Sequence, residues 1–366
     1  MKLLVLAQTP PPLHGQSVMV QALVDGLRNR PGFELHHVNL PLSRDAADIG
    51  RIRLGKLRIL LKACRQARRL INEHGIDTLY YVPAPGKRSA LVRDWIAMAL
   101  CRRASCRLVL HWHGVGLGGW LKMHAGSLEK RLTLRSLGAA DLSIVLAESL
   151  RADADALKAK RIAVVPNGIA DPCPRLARSP GAGEPFRILF LGLCSAEKGL
   201  FDAAGAVVEA NRSIGSLDTA PAFALTAAGP FPDSGTAAAF SRLVSAHPAA
   251  LRHAGVVTGD QKHALFMQSD ALCLPTRYPH EGQPLVLLEA MAYDLPVLST
   301  RWGAIAETMP AGGARLVSPN DLPALTQALL SVRASPPPAG LMRQHFLSHF
   351  TLTGHLDALA LALQGA

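Results

Sequence analysis

The chain has 366 residues, of which 49% are hydrophobic and 18% charged, and a net charge of +12. That length predicts two domains rather than one small core, and that composition excludes a disordered chain. The charge is one-sided: residues 1–172 carry 26 Lys and Arg against 13 Asp and Glu, the remainder 13 against 14, so an anionic partner is expected on the first half.

In chain order, residues 1–7 are too short for the apolar core of a signal peptide and read as a first buried strand. Further apolar runs at 78–82, 107–112, 142–146 and 161–165 alternate with helical stretches, the pattern of a parallel α/β sheet. Ligands bind beyond the carboxyl ends of such strands. The loop Pro10-Pro11-Pro12-Leu13-His14-Gly15-Gln16-Ser17, before a helical stretch at 18–27, therefore offers Gly15 and Gln16 for substrate contact; a plain strand-to-helix loop is the alternative.

The stretch 51–69 contains Arg51, Arg53, Lys56, Arg58, Lys62, Arg65, Arg68 and Arg69 and no acidic residue, with Leu54, Leu57, Leu61 and Cys64 at helical spacing and Ile52, Ile59 and Leu60 beside them. A basic amphipathic helix of this kind can lie in an anionic lipid headgroup layer. The other reading packs the apolar stripe on the sheet and turns the arginines to water. A second basic group is Lys87, Arg88, Arg93, Arg102, Arg103 and Arg107.

His111-Trp112-His113-Gly114 falls at the end of a strand. A neutral imidazole can donate to a hydroxyl and can do proton work, so His113 is a candidate for ligand contact or catalysis, and His111 is read as structural. Asp153 and Asp155 are two apart on a surface helix, point nearly opposite ways and cannot chelate one ion. Pro166-Asn167-Gly168 signals a turn, and residues 171–185 read as a linker.

The α/β pattern restarts at 187–192, and Lys198-Gly199 follows, with Lys198 either a phosphate ligand or a solvated lysine. Strands at 223–228 and 271–275 lead to His280-Glu281-Gly282-Gln283-Pro284-Leu285-Val286-Leu287-Leu288-Glu289-Ala290-Met291. Pro284 suits a first helical position. The amides of Gly282, Gln283, Leu285 and Val286 then lack intrahelical partners and, with the helix dipole, make a phosphate site. Glu281 precedes that helix and Glu289 lies more than a turn inside it, so one carboxylate can stand on each side of a bound diphosphate. A strand at 296–300 and helices at 321–333 and 344–363 complete the chain. The six scattered cysteines, with no Cys-x-x-Cys, read as reduced thiols of a cytosolic protein.

The two glutamates with seven residues between them, Pro296-Val297-Leu298-Ser299-Thr300 and the run from Gly303 to Glu307 resemble the donor-site signature of the retaining glycosyltransferases of family 4. His113-Gly114, Pro166-Asn167-Gly168 and Lys198-Gly199 are similar to further motifs of that family. The chain departs from it at Gln16 and Ala304, each in place of a glycine, and at Leu193 in place of an arginine, for which Arg277 could compensate.

The resemblance implies an α/β GT-B fold: two facing Rossmann-like domains, 1–172 for acceptor and 173–340 for donor, with a C-terminal helix, 341–366, crossing back to the first. It implies transfer of a sugar from a nucleotide-diphosphate sugar to an acceptor, read here as a lipid-linked glycan of bacterial surface polysaccharide, at the inner face of the cytoplasmic membrane. Glu289 is expected to hold the ribose. Lys198 and the amides around Pro284 are expected to hold the diphosphate, and Glu281 and His113 to meet the transferred sugar. Lys198 and the helix dipole can neutralise the phosphates, so no metal and no cofactor are expected. No nucleic-acid motif is present. A nucleotide-sugar epimerase of the same fold and a non-catalytic partner protein are the rival readings.

Overall fold

Short strands, most of them apolar runs too short for a helix and followed by one, build the first of two parallel sheets. A computed structural model describes residues 1–41, 54–103, 106–172, 184–216 and 220–365. The chain divides into two units: Met1–Gly168 with His280–Gln283 and Leu352–Ala366, and Ile169–Pro279 with Pro284–Thr351.

In the first unit the elements run β1 (Lys2–Ala7), α1 (Gly15–Arg28), β2 (Glu34–Asn39), α2 (Leu54–His74), β3 (Thr78–Tyr81), α3 (Arg88–Cys101), β4 (Arg107–Trp112), α4 (Leu117–Met123), α5 (Ser127–Leu137), β5 (Leu142–Val145), α6 (Ala152–Ala156) and β6 (Ile162–Val164). The sheet order is β2-β1-β3-β4-β5-β6, all parallel. Successive β1 side chains enter opposite layers, as the twofold strand period requires. Leu4 and Leu6 pack with Leu60, Cys64, Ala67 and Ile71 of α2. Leu3 and Val5 pack with Val20, Leu23 and Leu27 of α1 and with Leu359 and Leu363 near the chain end.

In the second unit follow β7 (Phe186–Leu191), α7 (Leu200–Ser213), β8 (Phe223–Ala228), α8 (Ser234–Ala246), β9 (Leu251–His253), α9 (Gly259–Met267), β10 (Ala271–Leu274), α10 (Leu285–Ala292), β11 (Val297–Thr300), α11 (Ile305–Thr308), β12 (Ala314–Val317), α12 (Leu322–Ala334) and α13 (Leu341–His349). Its sheet order is β12-β11-β10-β7-β8-β9, again all parallel. The chain closes with α14 (Leu352–Gln364).

Several expectations are corrected. The single final helix over 344–363 is two helices. Phe350 caps α13 and is buried, its carbonyl accepts the Ile169 amide at 2.9 Å, and Thr351 bridges Ile169 in parallel, so the helix cannot run on. The unit boundaries therefore fall at 168/169 and 351/352, not at 172/173 and 340/341, and α13 stays with the second unit while α14 joins the first. Strands β2, β9 and β12 were not predicted, because they are half-exposed sheet elements without an apolar run.

The basic stretch forms α2; Arg51, Ile52 and Arg53 lie outside the described residues. Leu60, Ala63, Cys64, Ala67 and Ile71 are its buried face, whereas Leu57 is 44% exposed, so the stripe through Leu57 is not the packing face. Arg58, Lys62, Arg65 and Arg69 are exposed and, at 100° per residue, point away from the buried face. Much of the second basic group has structural partners. Arg93 pairs with buried Asp94, Arg88 pairs with Glu129, Arg102 donates to the carbonyls of Arg135 and Ser136, and Arg107 donates to that of Leu363.

Candidate functional site

Within the first unit the carboxyl end of β4 places two imidazoles side by side. The rings of His111 and His113 lie 4.2 Å apart, centroid to centroid. His111 Nδ1 is 2.5 Å from the Tyr80 hydroxyl of the neighbouring strand, which fits its structural reading. Nε2 of each histidine is buried without a hydrogen-bond partner among the described residues. Burial lowers the pKa of both. His113, also beside His355 and His14, is brought down to about 3, so its ring is neutral at neutral pH and presents one donor and one acceptor.

The loop His280–Gln283 groups with this unit and is fastened at three points. His280 Nδ1 lies 2.9 Å from the Val115 carbonyl. A Cβ built on Gly282 would come 2.3 Å from the His113 carbonyl oxygen, so only glycine fits against that strand end. Gln283 Oε1 accepts the Asn167 amide at 2.7 Å, and Asn167 Nδ2 donates to the Gln283 carbonyl at 3.2 Å. Glu281, buried, lies between the first and second of these fastenings. The sequence marked Asn167 only as part of a turn. It gave no sign of Tyr80, nor of His355, whose Nδ1 lies 2.6 Å from the Pro166 carbonyl.

Two further expectations change. Gly15 and Gln16 are not loop residues but the first turn of α1, which begins three residues early because His14 and Ser17 cap it reciprocally. Asp153 and Asp155 do diverge, but Asp153 is not solvated. It is buried and accepts the amides of Gly116 and Gly118 at 2.8 and 2.7 Å, capping α4, while Asp155 pairs with Arg151.

Within the second unit, β7 lies between β10 and β8, so the chain order reverses there and loops leave a topological switch point, where open α/β sheets bind ligands. Gly199, at φ 83°, caps α7, and a Cβ on it would meet the Pro275 carbonyl oxygen at 2.3 Å. That close approach lets the Arg277 amide donate to the Glu197 carbonyl at 2.8 Å, and it puts Lys198 Nζ 5.0 Å from the centroid of the Tyr278 ring. Arg277 pairs with Asp202 in the first turn of α7, so it is already committed to a carboxylate and is not a simple replacement for the arginine absent at Leu193.

Helix α10 begins at Leu285, with Pro284 as its N-cap rather than its first residue. The amides of Leu285 and Val286 belong to its first turn, and those of Gly282 and Gln283 group with the first unit. Glu289, largely buried, pairs with Lys262 of α9 at 2.5 Å, and burial raises its pKa in spite of that lysine. Lys262 carries no motif and was missed. The second unit thus combines a helix N-terminus, a lysine at a switch point and a buried carboxylate, a set able to hold a phosphate beside a hydroxyl-bearing group.

Residues 185–334 match the family described as "Glycosyl transferases group 1". Over 205 residues, 54% of this chain, the sequence is 32% identical to the glycogen synthase of Mycobacterium tuberculosis, of which 45% is covered. Over 82 residues, 22% of this chain and 20% of the relative, it is 35% identical to the MMP alpha-(1->4)-mannosyltransferase of Mycolicibacterium hassiacum. The chain covers less than half the length of these curated relatives. Among solved structures, the sucrose-phosphate synthase of Thermosynechococcus elongatus is similar with a TM-score of 0.74 at 17% identity, covering 100% of this chain and 99% of the other. HepE of Anabaena, in complex with UDP and glucose, is similar with a TM-score of 0.68 at 18% identity, covering 100% of both. The fold is thereby that of the GT-B glycosyltransferases, two parallel-sheet Rossmann-like domains.

Proposed function

We propose that this chain is a retaining, metal-independent glycosyltransferase of family 4 that uses a nucleotide-diphosphate sugar. The observation that supports this reading is the second unit's switch point between β7 and β10, with Lys198 on the loop after β7 and the helix α10, which carries Glu289, after β10. Glu289 holds ribose hydroxyls, with Lys262 paired to it and opposing the rise in its pKa that burial causes. Lys198 and the amides of Leu285 and Val286 bind the diphosphate, and those of Gly282 and Gln283 extend that set. Gly15 and Gln16 offer first-turn amides of α1. His113 and Glu281 contact the transferred sugar.

In the reaction the bond from the anomeric carbon to the phosphate oxygen breaks, and a bond to the acceptor hydroxyl forms on the same face. The acceptor proton passes to the leaving phosphate oxygen. The charge developing there is met by Lys198 and the α10 dipole, so the step needs no metal. A neutral His113 exchanges hydrogen bonds with a sugar hydroxyl without adding a charge beside the developing cationic centre.

The acceptor is a lipid-linked glycan, and the first unit works at an anionic membrane surface. The exposed Arg58, Lys62 and Arg65 on the outer face of α2 support this, each contributing on the order of 1 kcal/mol near anionic lipid, while Arg69 beside them pairs with Glu73. Because the apolar face of α2 is buried in its own sheet, the contact is electrostatic rather than inserted. Among the described residues no helix is long and apolar enough to cross a membrane.

A thermal-shift screen across UDP-, GDP- and ADP-sugars tests the donor reading, because a ligand that binds only the folded state raises its melting temperature. UDP-glucose comes first, given the UDP and glucose bound in HepE. No shift with any of them overturns it. Sedimentation with anionic and neutral vesicles at low and high salt tests the membrane reading, and equal, negligible binding to both at low salt overturns that.

A further inference from the structure

The amino-terminal edge of the first sheet carries a cluster that the donor chemistry does not use. Glu34 and His36 are two apart on the edge strand β2, so their side chains leave on one face. His74 is the last residue of α2. His36 Nε2 lies 3.2 Å from Glu34 Oε1, and the rings of His36 and His74 are 4.3 Å apart, tilted by 40°. One ligand atom from each of the three residues lies within 4.8 Å of the others. We propose that Glu34, His36 and His74 form a binding site for a divalent transition metal ion of the zinc class.

The geometry is close to what such an ion requires. Bonds of about 2.0–2.1 Å in a tetrahedron put neighbouring ligand atoms roughly 3.3–3.4 Å apart. The Glu34–His36 pair already stands at 3.2 Å. His74, exposed and at a helix end, has to close by at most roughly 1.5 Å. Two imidazoles and one carboxylate, with a fourth position left for water, make a three-ligand zinc set, whereas magnesium and calcium prefer oxygen ligands.

Lys2 bears on the site from β1. Its ammonium is 3.7 Å from Glu34 Oε2 and donates to the His74 carbonyl at 2.8 Å. It occupies the carboxylate oxygen that the ion does not need, so the glutamate binds through Oε1, and its charge weakens the affinity. Lys2 and Glu34 begin their strands, so the site is at the end of the sheet opposite the carboxyl ends. The ion would tie the edge strand β2 to the end of α2 and take no part in transfer.

The test is to strip the full chain with a chelator and titrate it with Zn²⁺ by calorimetry and with Co²⁺ by visible absorption. The wild type binds one equivalent of Zn²⁺ with micromolar affinity and gives the intense visible bands of tetrahedral Co²⁺; both are lost in the His36→Ala/His74→Ala variant. Zn²⁺ raises the melting temperature of the wild type and not of that variant. Glu34→Gln, at an exposed position, weakens binding by at least about tenfold and carries the test if the histidine variant folds poorly. Lys2→Met tightens binding by about tenfold, as removal of one nearby positive charge requires. Wild type and Glu34→Gln binding Zn²⁺ alike, or a weak octahedral Co²⁺ spectrum in the wild type, overturns the proposal and leaves only scattered surface histidines.

Discussion

Asn167 and Gln283, 116 residues apart in sequence, hold each other by two buried hydrogen bonds, one from the Asn167 amide to the Gln283 side chain and one from the Asn167 side chain to the Gln283 carbonyl. The chain passes from the first unit to the second immediately after Gln283. The glutamate signature is therefore divided, with Glu281 on the loop that Asn167 holds through Gln283 and Glu289 carried by α10. Asn167→Ala and Gln283→Ala should each cost about 1–3 kcal/mol of stability, because each leaves a buried partner unmatched. A double-mutant cycle, read by denaturant unfolding, should give a coupling of about 0.5–3 kcal/mol. Additive losses would mean that the clasp is not an energetic unit.

Gly282→Ala should displace the loop that bears Glu281. Its methyl group would meet the His113 carbonyl oxygen, a backbone atom that cannot swing aside. The expected loss is about 1–3 kcal/mol, together with a fall in turnover. Gly119→Ala is the control. Gly119 lies in α4 with open space around the Cβ position, so alanine there should be neutral or stabilise by about 0.5–1 kcal/mol. Equal effects at the two positions would refute the packing argument.

His113→Ala and Glu281→Ala should lower turnover far more than they lower nucleotide affinity, since both residues are assigned to the sugar and not to the nucleotide. Steady-state kinetics combined with calorimetric titration of the free nucleotide separates the two effects. Full turnover in both variants removes them from the reaction.

Glu289→Ala should weaken nucleotide binding by about 1.5–3 kcal/mol, the worth of a hydrogen bond to a charged group. It also leaves the Lys262 ammonium without its carboxylate. The double variant Glu289→Ala/Lys262→Met should recover fold stability but not affinity. Unchanged affinity in the single variant, with the fold intact, disproves the ribose assignment.

The buried histidines give stability a pH dependence of known sign. The folded-state pKa of His113, about 3, is below its ordinary value of 6.5, and His111 is also well below it. Between those values the unfolded chain binds more protons than the folded one. Stability is therefore full above about pH 6.5 and falls as the pH drops, with a slope of up to about 1.4 kcal/mol per pH unit for each histidine. Unfolding midpoints measured from pH 7 to pH 4 should fall less steeply in His113→Gln. Parallel curves would contradict the depressed value.

The sequence by itself determined the parallel α/β class, most buried strands and the motifs at their carboxyl ends, because continuous apolar runs and the proline before α10 are local and leave local signals. It also determined that Asp153 and Asp155 diverge, a matter of helical period alone. Tertiary structure decided the rest. Half-exposed β2, β9 and β12 take their identity from sheet neighbours, and α13 and α14 separate because Ile169 claims the backbone at Phe350 and Thr351. The partners Tyr80, Asn167, Lys262 and His355 carry no pattern of their own. They matter only where packing brings them to His111, Gln283, Glu289 and Pro166, because the desolvation that shifts a pKa or makes a hydrogen bond costly to lose does not exist until the chain is folded.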